Sequence, residues 1–310
     1  MRQAVWVGVL CALTLAACAQ AADPLAQNRA ACANERSAAP ERIAACTAVI
    51  ESGEIDDAVR AEAQAHRGAA HRAAGDVTPA LRDFEATLRL DAANAEALEG
   101  RAGILLASGQ LDAAALLIDG VLASVEPPAR AHTLRGDLNA RFGDRAGAIA
   151  EYDAALAQAP REAEARAGRG LVKQANGDFD GARVDLDAAI DIAPNNAAAR
   201  AGRCWNRLQR QGDIADARRD AEAAIAADPA LTTGRLCYGL VLLRQEQWAD
   251  AQAAYDAALA LEPANATALF GRGFARREAG ERREGAADIR RAYEYNSEVD
   301  EEFERFGVDF

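Results

Sequence analysis

A glycine recurs along this chain at an almost constant spacing. The first five members of the series are separated by 34, 34, 34 and 35 residues, and the sixth follows after 68, with Glu246 in the position between. The members are Gly75, Gly109, Gly143, Gly177, Gly212 and Gly280. A period of about 20–50 residues indicates a stack of supersecondary units, each of which buries its apolar face against its neighbours. We therefore expect one long repeat array.

Each period predicts two helices and the turn between them. The residues before the glycine have helical spacing, and glycine provides the left-handed conformation that ends a helix. Aspartate follows the glycine in four periods and is placed to cap the second helix: Asp76, Asp144, Asp178 and Asp213. The second helix then carries a small residue and, four positions later, usually a bulky one: Phe84, Ile118, Tyr152, Leu186, Ala221, Tyr255 and Ile289. Proline ends four of the periods: Pro160, Pro194, Pro229 and Pro263.

This pattern resembles the tetratricopeptide repeat family, most clearly in residues 163–196. There, the residues in register are Gly170, Asn176-Gly177-Asp178, Ala182, Leu186, Ala189 and Pro194. The resemblance implies an all-α fold, an α-solenoid of about seven helix-turn-helix repeats. We place the repeats at 61–94, 95–128, 129–162, 163–196, 197–231, 232–265 and 266–299. Abundant alanine and only 5% aromatic residues also favour helix packed on helix.

Both ends of the array are expected to be closed by short helical elements. Residues 22–60 predict a degenerate helical hairpin in which Cys32 and Cys46 face each other, so that a disulfide would staple this end. Residues 298–310 predict a polar capping helix and tail, with Phe303 and Phe306 directed inward.

Two further cysteines, Cys204 and Cys237, lie on the first helices of adjacent repeats. Four of the six cysteines lie outside the predicted signal, and an even number in an exported chain favours two disulfides. Unpaired buried thiols are the alternative. In exported bacterial repeat proteins that this segment resembles, the cysteine of a pair such as Cys204-Trp205 often bonds to its own second helix. Ala221 stands at that place here. Adjacent repeats would bring Cys204 and Cys237 near each other, and on that ground we expect a bond between them.

The first 21 residues predict a secretory signal. An apolar run that is too short to span a bilayer follows Arg2. Leu15-Ala16-Ala17-Cys18 resembles the lipobox of bacterial lipoproteins, which would make Cys18 the lipidated first residue. Ala19-Gln20-Ala21 is the alternative, an ordinary cleavage site before residue 22. Either reading predicts an exported, periplasmic protein, with or without a lipid anchor.

Charge and motifs argue against several classes of function. The net charge of -13 disfavours nucleic acid and anionic lipid, which both require a basic surface. His66 and His71 are five residues apart and cannot aim at one metal from one helix. No G-x-S-x-G, H-E-x-x-H or Walker motif occurs. The carboxylates of Asp178, Asp180 and Asp185 are expected on a solvated helix face. We predict no enzymatic activity, no cofactor and no metal.

The remaining functional signal comes from the first helix of each repeat, which lines the concave surface in the family that the chain resembles. In the last four repeats these positions are mainly apolar: Leu171, Trp205, Leu208, Leu236, Leu240, Leu243, Phe270 and Phe274. In the early repeats they are charged: Glu62, Glu96, Glu99, Arg130, Asp137 and Arg141. Part of the apolar set is expected simply to pack one repeat on the next.

The sequence therefore predicts a scaffold that binds another envelope protein or an extended peptide through this groove. The alternative is a structural scaffold that self-associates as a homo-oligomer. A ligand with a C-terminal carboxylate is disfavoured, because the positions that clamp it in other family members are Thr133, Asp137, Gly168, Ala198 and Gly202.

Overall fold

The computed structural model describes residues 23–34, 36–53, 55–123, 127–210 and 213–308. Within these ranges the chain is all-α, with 17 helices and no strand. The predicted signal with Cys18, and the turn residue Gly212, lie outside the described residues. Among the helices that are described, none is long and apolar enough to cross a membrane.

The helices pair in chain order, as the period predicts. Their bounds are α1 Pro24–Ala33, α2 Ala39–Glu51, α3 Asp57–Ala73, α4 Val77–Leu90, α5 Ala95–Ala107, α6 Leu111–Leu122, α7 Ala129–Arg141, α8 Arg145–Gln158, α9 Ala163–Ala175, α10 Phe179–Ile192, α11 Ala197–Gln209, α12 Ile214–Ala227, α13 Thr232–Arg244, α14 Trp248–Leu261, α15 Ala266–Glu278, α16 Arg282–Tyr295 and α17 Val299–Arg305. The helices α5, α7, α9, α11, α13 and α15 begin where the repeats were placed.

One start differs from the sequence analysis. The helix α3 begins at Asp57 and not at Ala61. The Asp56 side chain accepts a hydrogen bond from the backbone N–H of Val59 at 2.8 Å, which caps the helix earlier than the period suggests.

Contacts divide the chain into two compact units, the first ending at Ala97 and the second beginning at Leu98. In the first unit, α1 to α3 pack around a small core that contains Val49, Ala63 and the Cys32–Cys46 disulfide. In the second unit, the largest core cluster extends from α11 to the residues after α17. It contains the Cys204–Cys237 disulfide, which joins the first helices of adjacent repeats. Both predicted cysteine pairs are thus bonded in the structure.

The turn between the two helices of a repeat is the left-handed turn that the glycine series predicts. The glycines at 75, 109, 143, 177 and 280 have φ between 75° and 95°. At Gly177 the backbone N–H donates to the Gln174 carbonyl, and the next N–H donates to the Lys173 carbonyl. These two bonds define a Schellman motif, which satisfies the last carbonyls of the first helix.

Glu246 makes the same turn without being glycine. Its φ is 58°, and it is the only positive φ at a non-glycine residue in the part of the chain that the structure describes. Its N–H donates to Leu243 and the N–H of Gln247 donates to Leu242, both at 2.9 Å. A side chain with a Cβ is strained in this region by roughly 1–2 kcal/mol.

We expect Glu246→Gly to raise the free energy of unfolding by about 0.5–1 kcal/mol, because relief of this strain exceeds the extra chain entropy of glycine. Ala279→Gly is the matched control. Ala279 is the C-cap of α15, one position before the turn glycine, and has φ of -75°, so glycine there should only lower stability. Urea unfolding followed by circular dichroism measures both variants. A loss of stability in Glu246→Gly would contradict the strain at this turn.

Close packing between repeats depends on glycine at a second set of positions. Tyr255 of α14 lies between Gly239 on α13 and Gly271 on α15, so that its ring fills the space between adjacent first helices. A Cβ at Gly239 would come 2.6 Å from Cζ of this ring, closer than real contacts allow. The same arrangement is made by Tyr152 with Gly136 and Gly168, and by Leu186 with Gly170 and Gly202.

Three of the four predicted aspartate caps form. The side chains of Asp144, Asp178 and Asp213 accept hydrogen bonds from the first turn of the following helix. The prediction is wrong for Asp76, which makes no side-chain cap bond. Its carboxylate instead lies 3.3 Å from Nδ1 of His71.

Candidate partner-binding site

The predicted groove residues lie on four successive first helices, but most of them are covered. Leu208, Leu236, Leu240, Leu243, Phe270 and Phe274 are buried. Leu171 and Trp205 are partly exposed. Buried side chains of this kind stabilise the stack of repeats, so packing is their observed role. Their role as partner contacts stays a prediction.

The C-terminal helix α17 covers part of this set. The Phe303 ring lies 4.9 Å from the Phe270 ring, and the Phe306 ring lies 5.0 Å from the Trp205 ring, both between centroids. The Thr267 hydroxyl donates to the Glu302 carboxylate at 3.2 Å. We call the surface that α17 contacts on α11, α13 and α15 the inner face. Phe303 and Phe306 point inward as predicted, and the residues that they contact, Phe270 and Trp205, belong to the predicted groove.

The end of α17 is fixed by its own backbone. Gly307 has φ of 71°, its N–H donates to the Glu304 carbonyl, and the N–H of Val308 donates to the Phe303 carbonyl. This is again a Schellman motif, in which the residue after the glycine packs with the helix interior. Val308 and Phe303 are accordingly both buried. Val308, the last residue that the structure describes, therefore packs in the core.

A cleft remains open beside α17. Its volume is about 370 Å³. The residues that line it away from α17 include Leu171, Gln174, Phe179, Trp205, Gln209 and Leu236, and the side toward α17 contributes Glu302, Arg305 and Phe306. The cleft thus continues the inner face toward α9, and its wall combines apolar side chains with two neutral amides. We call this space the Trp205 cleft.

Phe274 faces elsewhere. Its ring makes an edge contact with Trp248 at 6.0 Å between centroids. Trp248 is the first residue of α14 and was not among the predicted site residues. The helical period alone did not distinguish this contact between neighbouring helices from a groove position.

A buried ion-pair network was also not predicted. Arg169 holds Asp185 through two hydrogen bonds at 2.8 and 2.5 Å, and Lys173 donates to the same carboxylate at 2.8 Å. Asp185 is 1% exposed, so its placement on a solvated face is wrong. Burial alone would raise the pKa of Asp185, but the hydrogen bonds from Arg169 and Lys173 lower it below its ordinary value. This pairing stabilises the fold at neutral pH and is lost on acidification through the lowered pKa.

The network repeats with the period and crosses repeat boundaries. Arg203 holds Asp220 of its own repeat and Asp187 of the preceding one. Corresponding pairs join Arg169 to Asp153, and Arg272 to Asp288 and Asp256. Since one guanidinium bonds two carboxylates on different helices, the network is structural.

Several of the charged positions predicted in the early repeats are also paired. In the first unit, Nδ1 of His66 lies 3.0 Å from Glu96, and Glu62 lies 3.9 Å from the same ring. In the second unit, Tyr152 donates a hydrogen bond to Asp137 at 2.7 Å. Within the described ranges, no three His, Cys, Asp or Glu side chains converge as metal ligands would.

We expect a pH-dependent contribution from His66. The hydrogen bond to Glu96 raises its pKa above 6.5, although burial opposes the shift. The ion pair therefore stabilises the fold fully below pH 6.5, and this contribution of no more than about 1 kcal/mol is lost as pH rises through the raised pKa. Glu96→Gln should return the histidine pKa toward 6.5 in an NMR titration. Glu62→Gln, the control, should shift it less. Equal shifts would contradict the assignment to Glu96.

Paired helices, Schellman turns and an inner face with an adjoining cleft define a helical-repeat protein-interaction scaffold. A family model for the tetratricopeptide repeat matches residues 66–131, 133–197 and 239–298. The chain belongs to the tetratricopeptide repeat family. A search of curated proteins finds no match.

Solved structures with the same fold are numerous. The Cut9–Hcn1 hetero-tetramer of the APC/C aligns with a TM-score of 0.68 at 14% identity, over 88% of this chain and 54% of that chain. A tetratricopeptide repeat protein from Parabacteroides merdae has a TM-score of 0.48 at 18% identity, over 80% and 99% of the two chains. One from Thermus thermophilus has a TM-score of 0.47 at 17% identity, over 57% and 98%. Because the sequence identity to the Cut9–Hcn1 structure is only 14%, that similarity shows the fold alone.

Proposed function

We propose that this protein is a non-catalytic scaffold of the bacterial cell envelope that binds another protein or an extended peptide. The observation that carries the proposal is the Trp205 cleft. It offers a partly exposed indole, flanked by Leu171 and Leu236, beside the neutral amides of Gln174 and Gln209. Tryptophan is enriched among the residues that dominate binding energy in protein interfaces.

The test of this site is Trp205→Ala in the full-length chain. A partner crosslinked and purified from envelope extract should bind the variant more weakly by about 2 kcal/mol or more in calorimetry. Phe142→Ala is the matched control, because Phe142 is an aromatic residue that is 56% exposed and does not line the cleft. Unchanged affinity in Trp205→Ala, with a lower melting temperature, would assign Trp205 to packing.

Export is part of the proposal and is supported by the sequence of residues 1–21. A lipid anchor at Cys18 predicts that Cys18→Ser releases the protein from the membrane fraction. A native protein that is already soluble and begins at Ala22 would show that the alternative cleavage site is used.

A further inference from the structure

The position of α17 is unusual for an element that only closes the end of a repeat array. Such a helix needs to cover only the last repeat, formed by α15 and α16. Here Phe306 reaches back to Trp205 on α11, which is two repeats earlier. In the same place Phe303 lies with Leu240 of α13 at the floor of a small gap. The segment is thus seated on the inner face.

The seated segment shows which chemistry this surface accepts. Its contacts come from one side of a short helix: two aromatic rings three residues apart, at Phe303 and Phe306, and a carboxylate directly before the first ring, at Glu302. Residues three apart share one helix face, which explains the spacing. The opposite side of α17 is exposed and carries Glu301 and Glu304. Val299 and Val308 of the same segment are also buried, so a segment reproduces the observed contacts when it carries these three side chains between two flanking apolar residues.

The position of α17 on the inner face also allows another segment to replace it. The helix α17 has seven residues, and a helix of this length has little stability of its own in water. The Phe306 ring is only partly buried, and the Trp205 cleft directly beside it is open toward α9. A longer segment with the same pattern can therefore occupy both the position of α17 and the cleft.

We propose that α17 is a tethered occupant of the docking surface, and that the partner is a protein with a short helical segment carrying two aromatic residues three apart, preceded by a carboxylate. The partner segment binds by displacing α17. This inference rests on the proposed function and adds to it the class of partner and the competition.

Competition has a measurable consequence. A tethered segment is present at an effective concentration in the millimolar range, so it lowers the apparent affinity of a free segment. The apparent affinity equals the intrinsic affinity multiplied by the fraction of molecules in which the inner face is open. Loosening α17 should therefore strengthen the binding of a free segment, although it adds no contact.

The probe is a fluorescent synthetic peptide with the sequence of residues 297–308, SEVDEEFERFGV. Fluorescence anisotropy measures its affinity for the full-length wild type and for the double variant Phe303→Ala with Phe306→Ala. We expect the double variant to bind the peptide at least tenfold more tightly than the wild type. A control peptide with alanine at both phenylalanine positions should bind neither. Trp205→Ala, added to the double variant, should abolish the gain.

Circular dichroism and a cooperative melt establish that the double variant is folded. If it is not, Phe306→Ala alone carries the test, because this side chain is partly exposed, and we expect a gain of several fold. A folded variant that binds the peptide no more tightly than the wild type would overturn the inference. Equal binding of the alanine peptide would overturn it too.

Two further outcomes separate this inference from others. If the loosened variant forms dimers in the absence of peptide, measured by light scattering at micromolar concentration, the occupant is a second copy and the proposed partner class is wrong. The peptide could bind the double variant no more tightly than the wild type while Trp205→Ala still lowers the affinity for the purified partner. In that case the inference about displacement of α17 is wrong and the proposed function stands.

Discussion

Tyr255→Ala is expected to lower the free energy of unfolding by about 3–5 kcal/mol, the loss that accompanies truncation of a large buried aromatic ring. The Tyr255 ring is fully buried between Gly239 and Gly271, which have no side chains to fill the space that it would leave. The cavity would lie between two repeats, so it should weaken their interface. Urea unfolding measures the loss. A loss below about 1 kcal/mol would contradict the close packing of the Tyr255 ring between Gly239 and Gly271.

The tyrosine hydroxyl provides a matched comparison between two repeats. The Tyr255 hydroxyl has no hydrogen-bond partner among the residues that the structure describes, whereas the Tyr152 hydroxyl donates to Asp137. Tyr255→Phe should therefore be neutral or stabilising. Tyr152→Phe should cost about 1–3 kcal/mol, because it leaves the partly buried carboxylate of Asp137 without its donor. Burial already raises the pKa of Asp137. A larger loss of stability in Tyr255→Phe than in Tyr152→Phe would contradict the hydrogen bonding assigned to the two hydroxyls.

Removal of the Cys204–Cys237 disulfide, by alanine at both positions, is expected to cost about 3–4 kcal/mol. The bond closes a loop with a sequence separation of 33, and in the chain-entropy model the stabilisation grows with loop length. Both cysteines are fully buried, so a packing loss adds to it. Denaturant unfolding without reductant measures the change.

The second disulfide is the control. Cys32 and Cys46 are separated by 14 residues, so their replacement should cost less, about 3 kcal/mol. Thiol titration of the unfolded, unreduced mature protein, from which the predicted signal has been removed, should find close to no free thiol. Two or more free thiols per chain would show that one of the bonds does not form in the protein.

The period of the sequence was sufficient to predict the all-α fold, because turn glycines, capping aspartates and helix spacing are local signals. The same reasoning did not place α17 on the inner face, since a contact such as Phe306 with Trp205 joins residues that no repeat relates. Leu240 and Phe270 lie beside Phe303 of the same segment, so their burial depends partly on it. Their assignment to an open groove could not anticipate it.

The ion-pair network had a signal that was overlooked. Arg67, Arg101, Arg135, Arg169 and Arg203 follow one another at intervals of 34 residues. Charged residues are almost never buried unless they are paired, which favoured a solvated face for the aspartates. A partner of Arg67, Arg169 and Arg203, however, lies on the other helix of the hairpin, as Asp83 does for Arg67. A search for charge pairs across the hairpin would have found them.

The arginine pairs also make the length of the array adjustable. Arg203 and Asp187 each follow Arg169 and Asp153 by 34 residues, and both pairs join neighbouring repeats. Deletion of residues 163–196 would therefore bring Arg203 to the place of Arg169, opposite Asp153, and would keep this pair at the new junction. Loss or duplication of this one repeat thus preserves the junction pair, whereas an insertion of any other length separates the two partners. Recombination can change the number of copies of this repeat without breaking that pair.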